Sequence, residues 1–259
     1  MTKFIAIVSA KGGVGKTTST INLASALDWY RRDIIILDAN FNNPDVALYL
    51  GINFKEKTLH GALKGNHHIN EGIYRHASGL KIIPGSISYN DAMKVQKRNF
   101  VDTIYGLTNK SEAVIIDCAP GIGENARTII KAVDYLIIVT TPDLYSVSNS
   151  LKIVQLAKEY NKKILGILVN KVKGDYYELA LDNIESLIGK KIIGIIPNDE
   201  NINNAHYNKK PLVKMHPETE ASIGFKKLAC ELIGEKYVEN LKKEEENSLL
   251  KKTLKKIGF

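Results

Sequence analysis

The chain contains only two cysteines, Cys118 and Cys230, among its 259 residues. They lie far apart and form no CxxC pair, which argues against a disulfide framework and against a zinc or iron–sulfur site, and favours a reducing, cytoplasmic setting. The six histidines show no spacing typical of metal ligands. No apolar run reaches about 18 residues and the chain begins directly in a predicted strand, so we expect neither a membrane-spanning helix nor a signal peptide.

Apolar, β-branched segments alternate with segments of helical period along most of the chain. The predicted strands are residues 3–9, 33–37, 80–83, 113–117, 135–140, 164–169 and 192–196. Several of them are apolar throughout rather than alternating, as expected when helices cover both faces of a parallel sheet. With 44% hydrophobic residues to fill a core, the pattern predicts one three-layer α/β/α domain over residues 1–240. Charged residues dominate the remaining segment, 241–259.

Residues 11–18 read KGGVGKTT and stand between the first predicted strand and an amphipathic helix. Glycines without a Cβ let successive backbone N–H groups converge on one concavity, which binds phosphate oxygens. Lys16 supplies a cation for the β- and γ-phosphates, and Thr17 supplies a hydroxyl for Mg²⁺. The pattern therefore predicts a nucleoside triphosphate site rather than a ligand-free turn. Its candidate residues are Lys11, Gly12, Gly13, Val14, Gly15, Lys16, Thr17 and Thr18.

The loop is a variant, because Ala10 replaces the first glycine of the strict pattern and Lys11 is an additional lysine. KGGVGKTT resembles the deviant Walker A box of the MinD/ParA family of ATPases, and the resemblance runs through nearly the whole chain. It implies a P-loop NTPase fold, ATP as the nucleotide, and a homodimer in the ATP-bound state. It also implies that Lys11 reaches the nucleotide held by the partner subunit. The alternative is that Lys11 is a solvated loop lysine.

Two apolar runs in the predicted strands are followed by aspartate, 34–37 by Asp38 and 114–116 by Asp117. Ligands of open parallel sheets bind at the carboxyl ends of the strands, and Mg²⁺ prefers oxygen ligands. We therefore expect Thr17, Asp38 and Asp117 to serve the metal, with Asp117 as the Walker B residue. Gly121 resembles the switch II glycine, which responds to the γ-phosphate. Helix capping is the alternative role for Asp117.

Asn40 stands where MinD-like proteins commonly carry the second aspartate of a DxD pair. An amide can bind water by hydrogen bonds, but it cannot accept a proton as a carboxylate can. We therefore expect slow hydrolysis, which favours a long-lived ATP dimer or dependence on an activating partner. The predicted catalytic residues are Lys11, Lys16, Asp38 and Asn40.

The base pocket is expected at the ends of two later strands, where Asn170, Pro197 and Asp199 resemble the family's adenine-contacting positions. Guanine is disfavoured, because the sequence NKVK at 170–173 lacks the aspartate of an NKxD box. For Asp199, a helix N-cap is an equal alternative.

The C-terminal segment 241–259 carries a second pattern. On a helical wheel its apolar side chains lie on one side and its lysines on the other, as in helices that lie in a membrane interface. The predicted membrane-contacting residues are Leu249, Leu250, Leu254, Ile257, Phe259, Lys251, Lys252, Lys255 and Lys256. MinD-like proteins have a similar membrane-targeting sequence. The alternatives are a tail that docks on the protein body or a solubilising tail.

These features predict a MinD-like ATPase that acts as an ATP-dependent dimerisation and membrane-association switch for positioning, at the division site or elsewhere. We expect it in the cytoplasm, peripheral at the inner face of the cell membrane, with a protein cargo or activator of unknown identity. The net charge of +8 leaves a ParA-like DNA-partitioning ATPase as a competitor. A flagellar-number regulator of the FlhG type is the other alternative.

Overall fold

The computed structural model describes residues 1–53, 56–95 and 97–238. The predicted membrane-contacting segment, 241–259, lies outside the described residues. None of the helices in the described part is both long and apolar enough to cross a membrane.

Within the described residues, eight strands form one sheet in the order β3-β4-β2-β5-β1-β6-β7-β8. The strands are β1 (Lys3–Val8), β2 (Ile34–Ala39), β3 (Tyr74–Arg75), β4 (Lys81–Ile83), β5 (Ala113–Cys118), β6 (Tyr135–Thr140), β7 (Lys163–Val172) and β8 (Ile192–Pro197). All neighbouring strands pair in parallel except β3, which runs antiparallel to β4. The seven predicted strands are all present. The sequence did not indicate β3, since two residues are too few to show a period.

Helices cover both faces of the sheet. They are α1 (Lys16–Trp29), α2 (Val46–Tyr49), α3 (Leu59–Leu63), α4 (Tyr89–Met93), α5 (Phe100–Tyr105), α6 (Glu124–Ala132), α7 (Leu144–Glu159), α8 (Leu181–Ile188), α9 (Asn201–Tyr207), α10 (Leu212–Met215) and α11 (Glu220–Ile233). One face packs against α1 and α11, and the other packs mainly against α3, α5, α6 and α7. The predicted three-layer α/β/α architecture is confirmed.

Strand β1 shows why the predicted strands are apolar throughout. Its alternate residues Ile5 and Ile7 belong to the core beneath α1 and α11. Phe4, Ala6 and Val8 belong to the core on the opposite face. Because successive side chains of a strand point to opposite faces, a sheet covered on both sides buries every position.

The central strands β2, β5 and β1 bring the predicted phosphate and metal residues to one edge of the sheet. Asp38 on β2 and Asp117 on β5 are direct register partners. The KGGVGKTT loop follows β1, the neighbour of β5 on its other side. The carboxyl ends of three adjacent parallel strands therefore form the floor of a single site.

Candidate functional site

The phosphate loop has the left-handed backbone turns that its glycines allow. Gly13 has a φ of 78° and Gly15 a φ of 92°, and Gly15 is the residue at which α1 begins. A Cβ added at Gly15 would stand 2.2 Å from Asn170 Nδ2. Position 15 therefore requires glycine on two independent grounds, its backbone conformation and the side chain packed against it. At Gly12 and Gly13 a Cβ would meet only open space.

Lys16 lies in the first turn of α1 and is only 8% exposed. Burial lowers the pKa of its ammonium group, and the charge of Asp117 offsets part of that effect. A buried cation beside the loop interacts strongly with a phosphate group, because little water screens the attraction between the two charges.

Asp117 is 1% exposed at the end of β5. The Thr17 hydroxyl donates a hydrogen bond to its Oδ2 at 2.6 Å, and the Thr20 hydroxyl donates to its Oδ1 at 3.3 Å. Burial raises the pKa of the carboxyl to about 6, although Thr17 and the charge of Lys16 pull it down. Thr20 was not singled out from the sequence, because it lies one turn beyond the recognisable loop.

Asp38 is fully buried beside Asp117. Its carboxylate accepts hydrogen bonds from the Val46 N–H at 2.9 Å and from the Asn40 N–H at 3.2 Å. Burial and then the neighbouring charge of Asp117 raise the pKa of Asp38 well above its ordinary range. Asn40 thus contributes its backbone N–H to this part of the site.

Together, Thr17, Asp38 and Asp117 fit a magnesium ion. Two buried carboxyl groups that repel each other are relieved by a divalent cation, and all three side chains offer the oxygen atoms that Mg²⁺ prefers. Among the described residues no group of three or more His, Cys, Asp or Glu side chains could hold a metal, so the remaining ligands of such an ion would be phosphate oxygens and water. When bound, Mg²⁺ would neutralise charge on the phosphates.

Lys11 is held in its own chain by Asp143. The Lys11 ammonium lies 3.6 Å from Asp143 Oδ1, and the two side chains are 49% and 41% exposed. Asp143 begins α7, where it accepts a hydrogen bond from the Ser146 N–H at 2.9 Å. Burial would raise the pKa of Asp143, but hydrogen bonds from Thr141 and Ser146 and the charge of Lys11 lower it. A half-exposed pair of this kind contributes only about 0–1 kcal/mol, so Lys11 is easily released.

The predicted base-contacting residues offer unused acceptors. Asn170 is buried and donates from Nδ2 to the Val14 carbonyl at 2.8 Å. Its Oδ1 and the Oδ2 of Asp199 are buried without a hydrogen-bond partner among the described residues. The other oxygen of Asp199 accepts from the Asn201 N–H, as a helix-start residue does. Two orphaned acceptors at the ends of β7 and β8, where Pro197 ends β8, suit a base that carries an amino group.

Two further residues complete the rim of the site. The N–H of Gly121, whose φ is 92°, donates to the Ser9 carbonyl at 2.9 Å and ties the turn after β5 to the end of β1. Lys171 donates from Nζ to the Gly13 carbonyl at 2.8 Å. Sequence reasoning passed over Lys171 and Asp143. For Asp143 a signal existed, since it comes shortly after β6, near the same edge of the sheet at which Asp38 and Asp117 lie at the carboxyl ends of their strands.

Comparison with known proteins decides the family. Residues 1–233 match the ParA family model, which is described as the NUBPL iron-transfer P-loop NTPase. The chain belongs to the ParA family of P-loop NTPases. It is 34% identical over 247 residues to an uncharacterized ATP-binding protein of Methanocaldococcus jannaschii, covering 95% of this chain and 94% of that one. It is 26% identical to the septum site-determining protein MinD of Synechocystis, with 91% of each chain covered.

A solved structure gives the same result for the fold. The septum site-determining protein MinD of Pyrococcus horikoshii, complexed with Mg-ADP, superposes with a TM-score of 0.86 at 29% identity and covers 90% of this chain and 96% of that one. The predicted resemblance to the MinD/ParA family is confirmed. Nucleotide and Mg²⁺ binding are thus present among the family's members.

Iron transfer, which the ParA family description names, is not carried over to this chain. Cys118 lies inside β5 and Cys230 inside α11, and both are buried. Neither thiol reaches the surface, where a cluster shared with another molecule would have to be held.

The raised pKa of Asp117 predicts a pH dependence for metal-assisted binding. A carboxyl with a pKa of about 6 is neutral below that value, and a magnesium ion must displace its proton. Affinity for Mg-ADP should therefore be lost as the pH falls through about 6. Calorimetric titration across this range measures it. The control is titration of the protein with ADP in the presence of EDTA, which measures the effect of protonation of the phosphate itself. An equal pH dependence of the affinity with and without Mg²⁺ would contradict the expectation.

Proposed function

We propose that this ParA-family chain is a MinD-like ATPase that works as an ATP-dependent dimerisation and membrane-association switch. Residues 1–240 form the ATPase domain, which binds ATP with Mg²⁺. Residues 241–259 form a segment that contacts anionic lipid at the inner face of the cell membrane, so the protein is cytoplasmic and peripheral. The likeness to septum site-determining proteins supports a role in spatial positioning, with a protein cargo or activator as the further partner.

The observation that carries this proposal is the half-exposed Lys11 beside an otherwise buried phosphate site. Lys16 and Asp117 lie inside the protein, whereas the Lys11 side chain is half-exposed and pairs with Asp143. Breaking that pair costs little. Lys11 is thus free to reach a nucleotide in a second copy of the chain, and the negative charge of a bound triphosphate would favour its departure from Asp143.

The sequence of the tail supports the membrane half of the switch. Each large apolar side chain contributes at most about 1.5–3 kcal/mol when it enters lipid, and each lysine about 1 kcal/mol near an anionic surface, before the cost of ordering the segment. One tail should therefore bind weakly and reversibly. Two tails joined in one dimer bind more tightly, because the second acts at high effective concentration.

Co-sedimentation with anionic liposomes tests the switch. With Mg²⁺ and a non-hydrolysable ATP analogue the full chain should pellet, whereas with ADP most of it should stay in the supernatant. Removal of residues 247–259 should abolish pelleting in every nucleotide state. Lys11→Ala should lose both the nucleotide-dependent pelleting and the dimer seen by size-exclusion chromatography. Lys173→Ala, at an exposed lysine on the same edge of the sheet, is the matched control and should behave as the wild type.

Two outcomes would contradict the proposal. Equal pelleting with ADP and with the ATP analogue would show that nucleotide does not control membrane binding. Unchanged pelleting of the shortened chain would show that the tail does not contact the membrane. Retention of duplex DNA at low salt, with a steep loss of binding as salt rises, would instead favour the DNA-partitioning alternative.

Slow hydrolysis is the second part of the proposal and depends on Asn40. Its backbone N–H donates a hydrogen bond to the buried carboxylate of Asp38. A carboxylate side chain at position 40 would be able to take a proton from water, which an amide cannot do. We expect Asn40→Asp to raise steady-state ATP turnover by about tenfold and to shorten the lifetime of the ATP dimer. A phosphate-release assay on both proteins decides it. An unchanged rate in the variant would show that Asn40 does not limit hydrolysis.

A further inference from the structure

The end of β7 holds the phosphate loop from outside through two consecutive side chains. Asn170 Nδ2 donates to the Val14 carbonyl, and Lys171 Nζ donates to the Gly13 carbonyl, each at 2.8 Å. We propose that Lys171 is a positioning residue for the phosphate loop. With Asn170 it fixes the outward carbonyl groups of the loop, and it thereby aims the opposite N–H groups at the nucleotide phosphates. The inference deepens the proposed ATP binding and depends on it.

The geometry of the peptide unit links the two sides of the loop. In a planar trans peptide the C=O and the following N–H point in opposite directions. The Gly13 carbonyl shares its peptide unit with the N–H of Val14, and the Val14 carbonyl shares its unit with the N–H of Gly15. A donor on each carbonyl therefore sets the direction of the N–H on the other side. Glycine-rich backbone is otherwise free to rotate, so this restraint acts where the chain is least constrained.

An irregularity in β7 allows both side chains to reach the loop. In a regular strand Asn170 and Lys171 would point to opposite faces of the sheet. The register with β8 shifts between Asn170 and Val172, and Lys171 adopts a left-handed conformation with a φ of 62°. Bulges of this kind turn a side chain away from its regular direction and are frequent beside active sites. A left-handed backbone is unfavourable for lysine, and tertiary contacts such as the hydrogen bond to Gly13 must offset that cost.

Packing against Gly15 strengthens the same link. A Cβ at Gly15 would stand 2.2 Å from Asn170 Nδ2 and 4.0 Å from Lys171 Cε. The stem of Lys171 thus lies over the turn at which α1 begins. Because Lys171 is exposed whereas Asn170 is buried, Lys171 is the member of the pair that can be replaced without opening a cavity.

The experiment compares three variants of the full chain with three ligands, in the absence of lipid. Lys171→Met removes the donor, Lys171→Arg keeps a cationic donor, and Lys173→Met removes the same charge from the same surface segment. The Lys173 backbone N–H donates to Glu178, and its side chain makes no hydrogen bond or ion pair with the loop among the described residues. The ligands are ATP with Mg²⁺, inorganic tripolyphosphate and adenosine, each measured by displacement of a fluorescent ADP.

Lys171→Met should weaken ATP and tripolyphosphate by the same factor of about five, as expected for the loss of one charge-assisted hydrogen bond at an exposed site. Adenosine binding should be unchanged, since adenosine presents no phosphate to the loop. Lys171→Arg should recover most of the affinity, and Lys173→Met should change it less than twofold. Thermal unfolding of each variant without ligand checks that the fold is intact.

Three results would overturn the inference. Equal losses in Lys171→Met and Lys173→Met would mean that only the charge matters. A loss of adenosine affinity with unchanged tripolyphosphate binding would place Lys171 at the base or ribose. Wild-type affinity of Lys171→Met for all three ligands would show that the contact with Gly13 has no effect. Failure of the membrane switch would leave these measurements intact, so the two proposals are separable.

Discussion

Lys16, Asp38 and Asp117 are ionisable side chains that the fold buries together where three adjacent parallel strands end. Burial of charge is costly unless partners compensate for it, and two of these three groups carry the same sign. Hydrogen bonds offset part of this cost. The hydroxyls of Thr17 and Thr20 donate to Asp117, and the backbone N–H groups of Asn40 and Val46 donate to Asp38. The carboxyl pKa values nevertheless stay raised. A bound magnesium nucleotide would remove the remaining imbalance.

The rest of the site separates what must be rigid from what must move. The loop between β1 and α1 is held by left-handed glycines and by Asn170 and Lys171 from the end of β7. Lys11, one residue before the glycines, forms a half-exposed ion pair with Asp143. A loop suited to phosphate therefore adjoins a lysine that can leave its partner at low cost. This combination suits a protein whose nucleotide state controls association more than rapid chemistry.

The sheet and the phosphate loop could be predicted because both depend on local patterns. Continuous apolar strands indicate a doubly covered parallel sheet, and GKTT after a strand fixes where α1 begins. The contacts of Lys171 could not be predicted. They depend on a bulge in β7 and on the approach of two segments 158 positions apart in the sequence. Neither feature produces a recognisable pattern in the local sequence. Asp143 could have been found, because it comes shortly after the apolar strand β6, and Asp38 lies at the carboxyl end of the apolar strand β2. The orphaned oxygens of Asn170 and Asp199 are visible only when the packing around them is known.

The central claim is that the buried carboxyl pair is compensated by Mg²⁺ and nucleotide acting together. It is tested most directly by the unfolding temperature of the full chain with Mg²⁺ alone, with a non-hydrolysable ATP analogue in EDTA, and with both. Any ligand that binds the folded state raises this temperature. The account predicts a small shift with either one alone and a combined shift clearly larger than the sum of the two. A combined shift equal to that sum would show that the two ligands bind independently and would contradict the claim.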